Sequence, residues 1–221
     1  MGKYRISELN IEINTESATF LDNAKKYEEN FECKPNLTLS VSRDLILQIM
    51  EENEGITSDI IENSYLACIY SRNLFDFNGV PVHSVAVDNK GEAVLFASPL
   101  QNQDILSYLD IDKVFCIDYP GIRLLGDTFY VYDTPFGEHG KFSKHKKLKL
   151  SSIVFVDSDK FDTLKKLEPK DFVNMFTRAV IQNTKSERMK HTLFMLEKLN
   201  KRINFFGVSD LSDIDFILER V

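Results

Sequence analysis

The chain has 221 residues, of which 43% are hydrophobic and 28% are charged, a composition typical of a globular protein with a hydrophobic core. The net charge of -7 disfavours a general nucleic-acid binder, because duplex affinity depends on massed lysine and arginine. No stretch approaches the roughly 20 apolar residues of a membrane span. Three scattered cysteines without a C-x-x-C pair are typical of a reducing compartment. We therefore expect a cytoplasmic protein with no nucleic-acid or membrane partner.

The sequence of residues 1–76 predicts strands and helices that pack on a larger core. "YRISELNIEIN" predicts one strand with an early bend, and "TLSVS" predicts a second short strand. A helix is expected in "SRDLILQIMEENEG", with Ser42 as its N-cap and Gly55 as its stop. A longer helix is expected in "SDIIENSYLACIYSRNLFDF", capped by Ser58.

In residues 77–221 the sequence predicts strands first and then helices. Asn78-Gly79, "DNKG" and Gly126-Asp127 predict tight turns between apolar strands such as "EAVLFAS", "KVFCID" and "SSIVFV". Two amphipathic helices are expected in "EPKDFVNMFTRAVIQN" and "SERMKHTLFMLEKLNKRI", followed by a last short strand and a terminal helix. A sheet-rich middle with a helical end predicts an α/β domain.

The order of several segments resembles the HPr kinase/phosphorylase-like family, which shares a P-loop architecture with the ATP-dependent phosphoenolpyruvate carboxykinases. "VHSVAV" stands where family members have a histidine-containing strand, and "CIDYP" stands where they have Asn-Asp-Asp-x-Pro. "YVYDTPFGEHGK", "LKLSSIVFV", "KLEPKDF" and "INFFGVSDLSDIDF" match later segments in the same order. The resemblance implies an α/β fold with a P-loop kinase-like sheet core, a small N-terminal α+β region and C-terminal helices.

The segment "ASPLQNQDIL" stands where the resemblance places the phosphate loop. A P-loop supplies backbone N–H groups, a lysine for the outer phosphates and a Ser or Thr for magnesium. Gln101 and Gln103 replace the glycines here, and Asp104 replaces the lysine. A carboxylate about 4 Å from a phosphate charge repels it by roughly 4 kcal/mol at an effective dielectric near 20. The degenerate nucleotide-binding loop comprises Ser98, Pro99, Gln101, Asn102, Gln103, Asp104 and Ile105, the last of which replaces the Ser or Thr.

Two further positions are candidate catalytic residues. Of the paired aspartates in the family, one position is Ile117 and the other is Asp118, so Asp118 is a candidate base or weak metal ligand. The alternative is a strand-end aspartate that caps the turn before Pro120. His83 stands at the family's histidine position near the phosphates, and its alternative is a hydrogen-bonded histidine of the core.

A lysine-rich segment is unusual on this acidic chain. In the family, a loop at this place faces the phosphoryl acceptor, so the resemblance implies contact with an acidic peptide or phosphorylated partner. A solvated loop is the alternative reading. The candidate partner or acceptor residues are Glu138, His139, Lys141, Lys144, Lys146 and Lys147.

Three hypotheses of function follow. The first is a pseudo-kinase, a kinase-like fold used as a binding or regulatory module for a peptide or protein partner. The second is an active ATP-dependent serine kinase with an atypical nucleotide site, which would require ATP and magnesium and would use Asp118 and His83. The third is a structural subunit, and the sequence predicts no oligomeric state.

Overall fold

The structure is a computed structural model that describes residues 1–98, 105–137, 147–179 and 186–221. These ranges form a mixed α/β fold with a three-stranded sheet, a nine-stranded sheet and six α-helices. Among the described helices, none combines the length and the apolar composition that a membrane crossing requires.

The strands are β1 (Gly2–Ile6), β2 (Leu9–Asn14), β3 (Leu37–Ser40), β4 (Gly79–Pro81), β5 (Ser84–Asn89), β6 (Glu92–Ala97), β7 (Val114–Asp118), β8 (Gly121–Leu125), β9 (Thr128–Tyr132), β10 (Lys147–Val156), β11 (Lys165–Lys166) and β12 (Asn204–Val208). The helices are α1 (Ala18–Ala24), α2 (Arg43–Glu52), α3 (Ser58–Leu74), α4 (Pro169–Ala179), α5 (Ser186–Asn200) and α6 (Ile214–Arg220).

The N-terminal sheet has the order β1-β2-β3. The prediction of a single bent strand is wrong, because Ser7 and Glu8 both adopt positive φ angles, 50° and 61°, and fold the chain into an antiparallel hairpin. Such two-residue turns match the twist of the flanking strands. The Ser7 hydroxyl lies 2.6 Å from the Tyr70 hydroxyl of α3, which ties the turn to the helix behind the sheet.

Local signals predicted the helix ends and turns well. Ser42 caps α2 as expected, and its hydroxyl accepts a hydrogen bond from the Leu45 N–H. The cap of α3 is Thr57 rather than the predicted Ser58, since the Thr57 hydroxyl accepts from the Ile60 N–H. The turn at Lys90-Gly91 is confirmed by left-handed φ angles of 57° and 92°. Neither α1 nor the two-residue β11 was predicted.

The large sheet has the order β4-β8-β9-β10-β6-β5-β7, and β12 and β11 continue it from the second half of β10. The strands β6, β10 and β12 are parallel neighbours. The sequence of β6 is a continuous apolar stretch because both faces of this parallel strand are covered, so polar residues do not alternate with apolar ones.

This sheet is curled so that its two ends approach one another. Only two residues join β4 to β5, and two join β7 to β8. In a flat sheet β4 and β5 would stand five strand spacings apart, about 24 Å. A two-residue link reaches only about 11 Å. The links Val82–His83 and Tyr119–Pro120 therefore lie where the curled ends meet.

Three hydrophobic clusters hold these layers together. One face of the large sheet packs on α4 and α5, with Phe172 stacked on Phe205 at a ring separation of 4.0 Å. The other face packs on α6 through Ile217. A third cluster fills the N-terminal region and also includes Phe136 from the chain that follows β9. The proposed domain boundary at residue 76 stays a prediction.

Candidate functional site

Strand register brings three of the candidate residues to one edge of the large sheet. β5 runs antiparallel to both β6 and β7, and Ser84 at its start lies opposite Asp118 at the end of β7. Ser98 directly follows the last residue of β6. His83, Ser98 and Asp118 therefore share the edge at which β6 and β7 end. In open α/β sheets this is the edge where ligands bind.

Asp118 lies in a strained turn. Its φ is +69°, and the Tyr119 N–H donates a hydrogen bond to the Ile117 carbonyl at 2.9 Å. This is the positive-φ form of the γ-turn, which is rare and strained. Aspartate tolerates the left-handed region better than most residues. Backbone strain of this kind costs about 1–3 kcal/mol and clusters at functional sites, because the surrounding structure must hold it in place.

The His83 side chain faces the Asp118 carboxylate across this edge. Nε2 of His83 lies 3.6 Å from Oδ1 of Asp118, and the two side chains are 40% and 22% exposed. That distance is too long for a hydrogen bond, so the two groups attract electrostatically when the imidazole is protonated. The Tyr119 ring meets the His83 ring edge-on at 5.9 Å. Burial, with smaller contributions from Cys68 and Asp118, raises the pKa of Tyr119 to about 12.

The segment 133–137 braces the Asp118 turn from behind. The Thr134 hydroxyl donates to the Tyr119 carbonyl at 2.8 Å. Gly137 packs so closely on Ile117 that an added Cβ would lie 2.2 Å from the Ile117 carbonyl oxygen. The Gly137 carbonyl in turn accepts a hydrogen bond from the Asn23 side chain at 3.1 Å. Helix α1 therefore positions the segment that supports Asp118.

Phe136 anchors the same segment in the N-terminal core. Its fully buried ring stacks on Tyr70 at 4.7 Å and lies 5.6 Å from Phe20. Removal of a buried phenylalanine side chain costs about 3–5 kcal/mol. The N-terminal layer therefore stabilises the candidate site through one aromatic contact as well as through hydrogen bonds.

A buried carboxylate, Asp133, completes this bracing. It accepts hydrogen bonds of 2.5 Å from both the Tyr27 hydroxyl and the Lys26 ammonium group. Burial, and then the Asp133 charge, raise the pKa of the Tyr27 hydroxyl. The same two causes, in the same order, raise the pKa of the Cys116 thiol. Burial and the raised pKa both disfavour the thiolate form of Cys116, which is the reactive form of a cysteine.

The degenerate phosphate loop is described only at its two ends. Ser98 follows β6, and Ile105 lies in the hydrophobic core with a side chain that is 2% exposed. Ile105 packs in the cluster that contains Val87 and Phe96. The candidate residues between them, Pro99, Gln101, Asn102, Gln103 and Asp104, lie outside the described residues.

The lysine-rich segment is described only at Lys147. This residue begins β10, whereas the register places Phe155, near the other end of the strand, beside Ala97, the residue before Ser98. Lys147 forms an ion pair with Glu8 and lies 4.7 Å from the Tyr130 ring centre. The structure does not bring it to Ser98. The other candidates, Glu138, His139, Lys141, Lys144 and Lys146, lie outside the described residues.

An imidazole beside a carboxylate can transfer a proton or bind a polar ligand. The same two groups are also potential metal ligands. In the described parts of the chain no three His, Cys, Asp or Glu side chains are grouped as metal ligands.

The supporting residues Tyr27, Asp133 and Thr134 were missed in the sequence. The segment "YDTPFG" drew attention only as a match to the family, and its polar residues carry no spacing signal that separates a buried network from an exposed loop.

Comparison with known proteins adds no assignment. No protein-family model matches the chain, and no curated protein is significantly similar to it.

Proposed function

We propose that this chain is a catalytically degenerate HPr kinase-like protein, a pseudo-kinase that acts as a binding or regulatory module for a peptide or protein partner. The observation that carries the proposal is the burial of Ile105. Magnesium in a P-loop is held by a hydroxyl that faces the phosphates. An alkyl side chain packed among Val87 and Phe96 cannot take that role, and its surroundings are apolar.

The edge formed by His83, Ser98 and Asp118 supports a retained binding role. It lies at the ends of β6 and β7, where α/β sheets bind ligands. The strained turn at Asp118 is held by Thr134 and Gly137 of one segment, and Asn23 of α1 holds that segment in turn. Such strain is retained where the position of a side chain matters.

A thermal-shift experiment with ATP, ADP and GTP, each with and without magnesium, tests the proposal. We expect no change in Tm at millimolar nucleotide. A nucleotide present at about 100 times its Kd would add about 2.7 kcal/mol of stability. In a chain of this size that corresponds to a rise of roughly 5–10 °C. A magnesium-dependent rise of this size would contradict the proposal.

The approach of His83 to Asp118 at 3.6 Å favours one alternative, an active ATP-dependent serine kinase with an atypical nucleotide site. In that case Asp118 would accept the proton of the acceptor hydroxyl, and ATP and magnesium would be required. Labelled ATP and serine-containing acceptors would then give phosphoryl transfer that Asp118→Asn abolishes. Transfer that survives this substitution would exclude Asp118 as the base.

A further inference from the structure

A second polar site lies away from His83 and Asp118. A cavity of about 720 Å³ opens between the chain after β10, the short strand β11 and helix α4. Its apolar side chains are Phe161, Leu167 and Met175. Ligand sites have volumes of about 300–1,000 Å³, and this cavity lies in that range, although most of its lining residues are polar.

The walls of the cavity are held in place by the protein itself. The Lys160 ammonium group pairs with Asp157 at 2.9 Å and lies 3.2 Å from the Met175 sulfur, which ties the chain after β10 to α4. Phe161 lies over Gly207 of β12, where an added Cβ would come within 2.3 Å of the ring. The apolar surface is therefore formed before any ligand arrives.

Besides Lys160, three charged side chains line the cavity, and they have no side-chain partner among the described residues. Asp162, Lys165 and Asp171 all line it, and in the described part of the chain none of their side chains forms an ion pair or a hydrogen bond. Lys166, the next residue of β11, differs, because its ammonium group bonds to Asn204 at 2.9 Å. Lys165 and Asp171 share one cavity without pairing to each other, so both signs of charge remain available to a ligand.

The backbone of β11 adds a second kind of recognition. β11 pairs only with β12 among the described strands, and the Leu167 N–H donates to the Phe205 carbonyl. Because antiparallel pairing alternates, the backbone N–H and C=O of Lys166 point to the open edge. An extended peptide can pair with such an edge while its alternate side chains enter a neighbouring pocket.

We propose that this cavity binds a short extended peptide that presents a basic, an apolar and an acidic side chain at alternate positions, so that all three face the cavity. The apolar side chain contacts Phe161 and Met175, the basic residue pairs with Asp171 or Asp162, and the acidic residue pairs with Lys165. Two carboxylates disfavour a polyphosphate, and the volume exceeds that of a single amino acid. The inference rests on one part of the proposed function, namely that this chain acts by binding a partner.

The test uses NMR of methionine methyl groups and two capped pentapeptides, Lys-Ser-Leu-Ser-Glu and Glu-Ser-Leu-Ser-Lys, whose charged and apolar side chains share one face of the extended chain. We expect one of these peptides to shift the Met175 methyl signal while the Met50 signal on α2 stays unchanged. A Ser in place of the Leu, or Gln in place of both charged residues, is expected to weaken binding at least fivefold. Free leucine is expected to bind more weakly still.

Two lysines in different parts of the molecule provide the matched comparison. Lys165→Glu is expected to weaken binding about five- to tenfold, because it reverses a charge at the rim of the site. Lys113→Glu makes the same change in net charge at an exposed residue that does not line the cavity, and it is expected to leave Kd unchanged. A peptide whose acidic residue is replaced by lysine is expected to restore binding to the Lys165→Glu variant.

Three results would overturn the inference: no response of Met175 to either peptide, equal loss of binding in both lysine variants, or equal affinity for free leucine. These results are separable from the failure of the proposed function. If magnesium and ATP raise the Tm, the pseudo-kinase is refuted whatever the peptides do. If neither the peptides shift the Met175 signal nor the nucleotides raise the Tm, only the peptide site is refuted.

Discussion

The two polar regions of this protein are built in opposite ways. Around Asp118 the protein supplies its own partners: Asp133 is buried and bonded to Lys26 and Tyr27, and Thr134 bonds to the Tyr119 carbonyl. In the cavity beside β11, charged side chains face a common space without bonding to one another. Buried polar groups need partners to avoid a desolvation cost, whereas exposed ones can stay unpaired in water. The first region therefore holds the candidate site in place through its own contacts, whereas the second leaves charged side chains available to the peptide that we propose.

The largest expected effect tests how strongly the N-terminal layer supports the first region. Phe136→Ala is expected to lower the free energy of unfolding by about 3–5 kcal/mol, because a fully buried ring stacked on Tyr70 leaves a cavity. Urea denaturation measures the change. Phe216→Ala, at a ring that is 40% exposed, is the control and should cost less than about 1 kcal/mol. Equal losses would mean that Phe136 is not an anchor.

The buried carboxylate should come next. Asp133→Ala is expected to cost about 2–3 kcal/mol, because the Tyr27 hydroxyl and the Lys26 ammonium group both lose their partner. The value is below that of a fully buried pair, since the Lys26 side chain is 37% exposed. The same denaturation assay on Asp22→Ala, which removes an exposed pair with Lys25, should show a loss of about 0.5 kcal/mol. A small loss at Asp133 would remove the contrast between the two regions.

The strained turn predicts which of two substitutions at Asp118 gives the more stable protein. Because Asp118 has a φ of +69°, Asp118→Gly is expected to be more stable than Asp118→Ala by about 1 kcal/mol. Both variants lose the carboxylate, so the difference in their unfolding free energies isolates the backbone. If the alanine variant were the more stable of the two, the turn would not be strained.

The smallest effect is expected in the cavity. Asp171→Ala and Lys165→Ala should each change the unfolding free energy by no more than about 0.5 kcal/mol, because neither side chain has a protein partner to lose. A loss above 1 kcal/mol in either variant would show that the charge already stabilises the fold, and it would argue against a role reserved for a ligand.

Sequence reasoning succeeded where structure is local. The N-cap at Ser42 and the turn at Lys90-Gly91 depend on neighbouring residues, and both are confirmed. The hairpin at Ser7-Glu8 was missed because two non-glycine residues with positive φ carry little turn signal. They adopt that conformation where the Ser7 hydroxyl meets Tyr70, 63 positions away.

The candidate site shows the same division. Residues His83 and Asp118 were singled out from a resemblance, but only the register of β5 against β7 puts them 3.6 Å apart. The network of Asp133 and the cavity beside β11 had no counterpart in the sequence. The Asp133 network joins segments that lie far apart along the chain. The cavity depends on a strand of two residues, which is too short to show a periodicity in the sequence.

The sequence by itself determined an α/β protein with buried apolar strands and capped helices, since these follow from residue type and spacing. The tertiary structure alone decided that the sheet curls until its ends meet, that Asp118 is held in a strained turn, and which charges remain without partners. Those properties depend on which distant segments come into contact, and contact between distant segments leaves no pattern in the order of residues.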